Sequence, residues 1–321
     1  MRSITVLSCL SIENGHCMAA HEMALPLSET TTDSVLQDLR ANPVLLLRPA
    51  QQNSPLIFAS PHSGRIYPEA FVRQTKLDPL TLRKSEDAYV DELFAAVVEF
   101  GAPLVAARFP RAFIDANRAP GEIDGAMFDG PLGCWVGPRT PRVAAGLGVI
   151  PRIVRDGVEI YPARLPAREA LFRFESFYRP YHTALARLVA ETRESFGFAI
   201  VIDCHSMPPP LRGTDIVIGD CYGESAAPAL SADVHRSLTM LGFSVTRNAP
   251  YAGGYTTKLY GKPEAGVHAL QIELSRALYL DEITLGKTPA FGECRERLCR
   301  FARALTGKRW AELPRRQAAA E

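Results

Sequence analysis

Two histidines stand where buried strands run out. Leu56-Ile-Phe-Ala-Ser60 leads into Pro61-His62-Ser63-Gly64, and Phe198-Ala-Ile-Val-Ile202 leads into Asp203-Cys204-His205-Ser206 before Pro208 stops the run. Polar side chains at the carboxyl ends of buried strands are where open α/β sheets place their ligands. One such histidine reads as a core imidazole satisfied by backbone groups. Two at equivalent strand ends point instead to a shared metal ion. A catalytic zinc takes three protein ligands and keeps one position open, with His and carboxylate as common donors. His62 and His205 supply two ligands. The third is expected from the adjacent pair Glu86-Asp87, of which only one can point inward; Asp87 is preferred and Glu86 is the alternative. The same acidic pair also reads as an ordinary helix N-terminus.

Glu273 lies inside the apolar run His268-Ala-Leu-Gln-Ile-Glu-Leu274. A buried carboxylate needs a partner, because desolvation is costly. Either Arg276 supplies a structural ion pair, or Glu273 faces a water and serves as general base, a task that a raised pKa suits. Arg111, Asn117 and Arg118 cluster beside a glycine-rich stretch and form a candidate anion grip, since a guanidinium matches a carboxylate with two parallel hydrogen bonds. Cys204 and His205 are adjacent on a strand, point to opposite faces and cannot act as a pair. His182 reads as structural. The chain has no G-x-S-x-G elbow, Walker loop, G-x-G-x-x-G or H-E-x-x-H motif.

The elements that must hold these residues follow the hydrophobic pattern. Asp78 caps a helix opened by Pro79, and Tyr89 to Val98 has the spacing of a buried helix face closed by Gly101. Pro103–Ala107 and Ala112–Asp115 read as strands, and Gly121–Gly148 as a long loop. Leu171 to Leu188 marks an amphipathic helix in which Pro180 predicts a kink or break. Strands are expected at Phe198–His205, Asp215–Gly219 and His268–Leu274, with a helix from about Pro228 to Leu241. The fold class is α/β, a single domain with a mixed, mostly parallel central sheet flanked by helices.

Composition narrows the rest. With 321 residues, 47% hydrophobic and 22% charged, the chain can bury a large core. A net charge of +1 leaves no electrostatic footprint for nucleic acid, and no apolar run spans a bilayer. Seven scattered cysteines without a CxxC pair fit neither a zinc ribbon nor a disulfide framework and favour a reducing, cytoplasmic setting. Ile4–Ile12 looks like a short signal core but lacks a cleavage site. The expected organisation is therefore a disordered extension with one short helix over 1–45, a catalytic domain over 46–310 and a tail over 311–321.

Taken in order, Ser60-Pro-His-Ser-Gly64, Ser85-Glu-Asp-Ala-Tyr-Val-Asp-Glu-Leu93, Arg111-Ala-Phe-Ile-Asp-Ala-Asn-Arg118, Pro180-Tyr-His182, Asp203-Cys-His-Ser-Met-Pro208, Tyr251-Ala-Gly-Gly-Tyr-Thr256 and His268–Arg276 resemble the N-formylglutamate amidohydrolase (deformylase) family. The resemblance spans about residues 55–282 and implies a zinc carboxypeptidase-like fold. It implies His62, His205 and an acid of the Glu86-Asp87 pair as ligands of Zn2+ or another divalent metal, with Glu273 and Arg111 catalytic. Asn117 and Arg118 would clamp the substrate carboxylate, with Arg276 and Tyr255 in the same binding set. Carboxypeptidases carry a Glu three residues after the first His, where this chain has Arg65. The implied reaction is cleavage of N-formyl-L-glutamate to glutamate and formate, of the histidine-degradation type. The alternatives are another small N-acyl amino acid as substrate, or a non-catalytic ligand-binding relative. The implied partner is a small molecule rather than nucleic acid or membrane, and the sequence allows a homo-oligomer.

Overall fold

The computed structural model describes residues 33–154, 157–209, 213–310 and Leu313. In chain order the strands are β1 (Val44–Leu47), β2 (Leu56–Ser60), β3 (Leu104–Ala107), β4 (Phe128–Asp129), β5 (Leu165–Pro166), β6 (Ala199–Met207), β7 (Ile216–Gly219), β8 (Val245–Arg247) and β9 (Val267–Ser275). The helices are α1 (Ser34–Ala41), α2 (Glu69–Gln74), α3 (Pro79–Arg83), α4 (Val90–Phe94), α5 (Pro141–Ala144), α6 (Ala167–Arg173), α7 (Arg179–Phe196), α8 (Pro228–Met240), α9 (Tyr255–Tyr260) and α10 (Phe291–Thr306). Seven strands form one sheet in the order β1-β3-β2-β6-β9-β7-β8, while β4 and β5 make a separate ribbon.

The four middle strands, β3, β2, β6 and β9, run parallel; β1 is antiparallel to β3, and β7 is antiparallel to β9. This is the mixed, mostly parallel sheet that the apolar runs imply, since a strand apolar on both sides must be covered on both. Ile57, Ala59, Val201 and Ala269 face one core, shared with α1 and α7. Leu56, Phe58, Ile200, Ile202 and Leu270 face the other, shared with α4, α8 and α10.

The expected catalytic-domain start at residue 46 falls inside β1. Leu36 and Leu39 of α1 already belong to the core, and Asp33 caps that helix through the Leu36 amide, so the described fold reaches back to residue 33. The expected extension up to residue 32, and the tail from 311 onward apart from Leu313, lie outside the described residues.

Two other expectations are decided by local structure. Ala112–Asp115 is not a strand: the Pro110 carbonyl accepts the amides of Phe113 and Ile114, turning the chain back toward β2. At Pro180 the expected disturbance takes the form of a changed winding rather than a break, since α6 passes through a π-helical turn into α7 without a gap in the chain. The preceding Phe174–Tyr178 winds as a π-helical turn, which accommodates the missing donor. Asp78 caps α3 through the Thr81 amide, and Gly101 ends the turn after α4 at φ +79°, as the pattern predicts.

Candidate metal centre and its cavity

One face of the sheet changes character halfway along two neighbouring strands. On β6, Ala199 and Val201 are followed on the same face by Asp203 and His205; on β9, Val267 and Ala269 are followed by Gln271 and Glu273. The register pairs Asp203 with Gln271 and His205 with Glu273. Cys204 lies in the opposite core, as strand alternation demands.

His62 arrives from the turn after β2. Gly64 lets that turn lie against the chain just after β3, because a β-carbon there would sit 1.9 Å from the Phe109 carbonyl oxygen. The His62 carbonyl accepts the Asp87 amide at 2.9 Å, which seats the acidic segment against the same strand end. Asp87 therefore points inward. Glu86 turns away and is held by Tyr67 at 2.8 Å and by Arg83 at 3.1 Å.

The two imidazoles approach Asp87 in the same way. Nδ1 of His205 lies 2.9 Å from Asp87 Oδ2, and Nδ1 of His62 lies 3.3 Å from the same oxygen. The opposite nitrogens are held by carboxylates, His62 Nε2 by Asp115 at 2.6 Å and His205 Nε2 by Asp203 at 3.0 Å. Each ring thus turns Nδ1 toward Asp87, and where that nitrogen is deprotonated it offers a lone pair to a metal ion. Buried His62 Nδ1 has no hydrogen-bond partner. Without a proton on either Nδ1, two lone pairs and one carboxylate oxygen converge, an arrangement that a cation among them satisfies. Donor atoms of His62, Asp87 and His205 lie within 4.8 Å of one another, and this buried group can hold a metal ion. Its donor types suit zinc and several other divalent metals.

The electrostatics describe the same cluster. Burial opposes ionisation of Asp87, but the hydrogen bond from His205 and the His62 ring beside it outweigh burial and hold the carboxyl well below its usual range. Burial likewise opposes ionisation of Asp115, and the charges of His62, Arg111 and Arg118 overcome it. Burial would strip the proton from His205, yet Asp203 raises its pKa well above the ordinary value. A metal ion would take the place of that second proton. Glu273 goes the other way: burial lifts it to about 8, with His205 pulling down and Asp87 pushing up.

A cavity of about 670 Å³ opens above these groups, and His62, Asp87, Arg111, Asn117, Arg118, His205, Glu273 and Arg276 all line it. Arg111 bonds Asp115 through Nε at 3.0 Å. Asn117 is already occupied: its Oδ1 accepts the Thr256 amide at 2.7 Å, and its Nδ2 lies 3.0 Å from His205 Nε2 and 3.4 Å from Asp203. Arg276 does not pair with Glu273. It donates to Ser206 Oγ, the Glu86 carbonyl and Asp87 Oδ1, while Glu273 accepts from Gln271 at 2.6 Å.

Tyr255 lies apart from the cavity-lining residues. It opens α9, with its ring 5.8 Å from buried His182, while Tyr251 of the same stretch lines the cavity. His182 is structural in its bonding, to the Ala116 carbonyl and the Tyr260 hydroxyl; burial lowers it to about 4. Sequence reasoning did not single out Asp115, Asp203, Lys84, Arg142, Tyr251 or Lys258. For Asp203 a signal existed, its place two residues before His205 on a strand.

A family model described as N-formylglutamate amidohydrolase matches residues 54–280, well over half of the chain. The chain belongs to the N-formylglutamate amidohydrolase family. Members are hydrolases of an amide bond. The N-formylglutamate deformylase of Pseudomonas putida is 30% identical over 241 residues, covering 72% of this chain and 84% of the relative. That of Pseudomonas aeruginosa is 31% identical, covering 71% and 83%. The crystal structure of N-formylglutamate amidohydrolase from Ralstonia eutropha JMP134 superposes with a TM-score of 0.78 at 34% identity, covering 82% of this chain and 97% of that one. A gene product of Agrobacterium tumefaciens shares the fold at a TM-score of 0.61 and 20% identity. The family segment contains every residue of the His-Asp-His cluster and Glu273.

Proposed function

We propose that the chain is a metal-dependent deformylase that hydrolyses N-formyl-L-glutamate to glutamate and formate. One observation carries the reading. Glu273 stands beside His205 in register, on a cavity that also receives the inward faces of His62 and Asp87. Membership of the amidohydrolase family and the named activity of its Pseudomonas relatives support the substrate. Free thiols at Cys204, Cys221, Cys294 and Cys299 fit a reducing compartment. Among the described residues no helix is long and apolar enough to cross a membrane.

His62, Asp87 and His205 hold the metal in this reading. When bound, it would polarise the formyl carbonyl and acidify a water, the two services a divalent ion offers amide hydrolysis. Glu273 takes the proton of the attacking water. Its raised pKa places it near the operating pH, where a general base works best. It then delivers that proton to the departing amine nitrogen. Arg111, on the cavity wall beside Asp115, faces the negative charge that grows on the formyl oxygen. Arg118 receives the α-carboxylate. Asn117 and Arg276 act by position, the first holding Asp203 and His205 against α9, the second holding Asp87.

The test is metal analysis of the purified protein together with formate release from N-formylglutamate. Stoichiometric metal and metal-dependent formate release are expected. Bound metal with no formate from any N-formyl amino acid would sink the reading.

A further inference from the structure

The cavity carries more positive charge than its own carboxylates use. Arg111 is bonded to Asp115, and Arg276 to Asp87. Arg118 gives its Nε to the Leu147 carbonyl and one Nη to the Asn117 carbonyl, and lies 3.9 Å from Asp115. Arg142 also lines the cavity, is exposed, and its guanidinium makes no hydrogen bond or ion pair among the described residues.

The backbone at Arg142 is linked to the Arg118 side chain through Leu147. The Leu147 carbonyl that accepts Arg118 Nε belongs to a residue whose own amide donates to the Arg142 carbonyl at 2.8 Å. Thr140 caps the short helix carrying Arg142 and also donates to Glu122, while buried Val143 anchors it from below. The loop is thus tied to the turn that bears Arg118, and both guanidiniums line the same cavity. Burial disfavours the charge on Arg118, and so do Arg111 and Arg142, although Asp115 favours it. Like charges gathered in this way call for an anion between them.

We infer that Arg142 receives the side-chain carboxylate of the substrate and sets the preference for N-acyl dicarboxylic over monocarboxylic amino acids. This rests on the deformylase reading, in which Arg118 takes the α-carboxylate. The fork of a guanidinium binds a carboxylate with two parallel hydrogen bonds, which favours Arg142 over Lys84 and Lys258 on the same cavity.

The test compares N-formylglutamate with its neutral isostere N-formylglutamine in the wild type, Arg142→Gln, Arg142→Lys and, as controls, Lys84→Ala and Lys258→Ala. Removing a charged hydrogen-bond partner is expected to cost Arg142→Gln roughly 10- to 150-fold in kcat/KM on N-formylglutamate, mostly through KM. The loss on N-formylglutamine should be at least ten times smaller, and Arg142→Lys should recover part of the preference. Equal losses on both substrates, or a preference that follows Lys84 or Lys258 instead, overturn the assignment. Calorimetric titration with glutarate and butyrate separates this from the reading beneath it, because it needs no turnover. Glutarate should bind the wild type at least tenfold more tightly than butyrate, and Arg142→Gln should lose the difference whether or not formate is released. A preference for glutarate that survives in Arg142→Gln, or is absent from the wild type, overturns the assignment equally.

Discussion

His62 gives its Nε2 to Asp115 Oδ1 at 2.6 Å, so that the ring's other nitrogen is left facing Asp87. The same Asp115 oxygen accepts the Asn117 amide at 2.8 Å, and the second oxygen accepts Arg111 at 3.0 Å. Asp115 therefore fixes both the tautomer and the tilt of the imidazole. Partners of this kind typically contribute 10- to 100-fold in metal affinity. Asp115→Asn keeps the shape but removes the charge, and zinc affinity measured against a chromogenic chelator should fall within that range. An unchanged affinity would mean that His62 does not bind metal through Nδ1.

Glu273→Gln separates chemistry from metal binding. The carboxylate lines the cavity but is not one of the converging donor atoms, so metal content by emission spectrometry should stay at the wild-type level. Formate release should drop by about 100- to 10,000-fold, the usual worth of a positioned base. Turnover near the wild-type rate would remove Glu273 from the mechanism.

Buried charge also makes the metal-free protein sensitive to pH, in a direction that can be worked out. The folded protein raises Glu273 from 4.5 to about 8, so it binds a proton there that the unfolded chain releases. Its contribution to stability is complete below about 4.5 and is lost as pH rises through about 8. Glu273→Gln abolishes this titration. In the metal-free state the variant should gain stability over the wild type between pH 5 and pH 8, by at most about 1.4 kcal/mol per pH unit. Asp87 and Asp115 act at the acid end, where their lowered pKa values stabilise the fold above the ordinary carboxylate range and that stability fades as pH falls. Urea titrations of both proteins at matched pH decide the matter; parallel curves across the range would contradict the burial of an ionisable Glu273.

Much of the architecture was legible because strands buried on both faces leave continuous apolar runs, as Leu56–Ser60 and Phe198–Ile202 do. His62, His205 and Glu273 stood out because each interrupts such a run or ends it. Asp87 could be separated from Glu86 only by a contact across the chain, the amide bond to the His62 carbonyl. The same holds for Asp115, which meets His62 53 positions away, and for Arg142, whose backbone is linked to the Arg118 side chain through Leu147. Tyr255 and Tyr251 look alike in a glycine-rich stretch. Which of them faces the cavity is decided by where α9 begins, and Tyr255 is its first residue. Residues that position others leave little local trace, because their partners are distant in sequence.

The close approach of Gly254 to Asn117 provides a last test of how tightly the centre is built. A β-carbon at Gly254 would lie 2.4 Å from Asn117 Nδ2 and 2.7 Å from its Oδ1. That amide cannot swing aside freely, since it bonds the Thr256 amide on one end and reaches Asp203 and His205 on the other. Gly254→Ala should therefore destabilise the protein by about 1–3 kcal/mol, the usual cost of overfilling a packed site, and lower turnover with it. Asn117→Ala makes room for the added methyl group but loses the bridge. If the clash is the cause, the two substitutions together should destabilise by less than the sum of their separate effects. Additive losses in a chemical-denaturation cycle would show that Gly254 is required for some reason other than the space that Asn117 occupies.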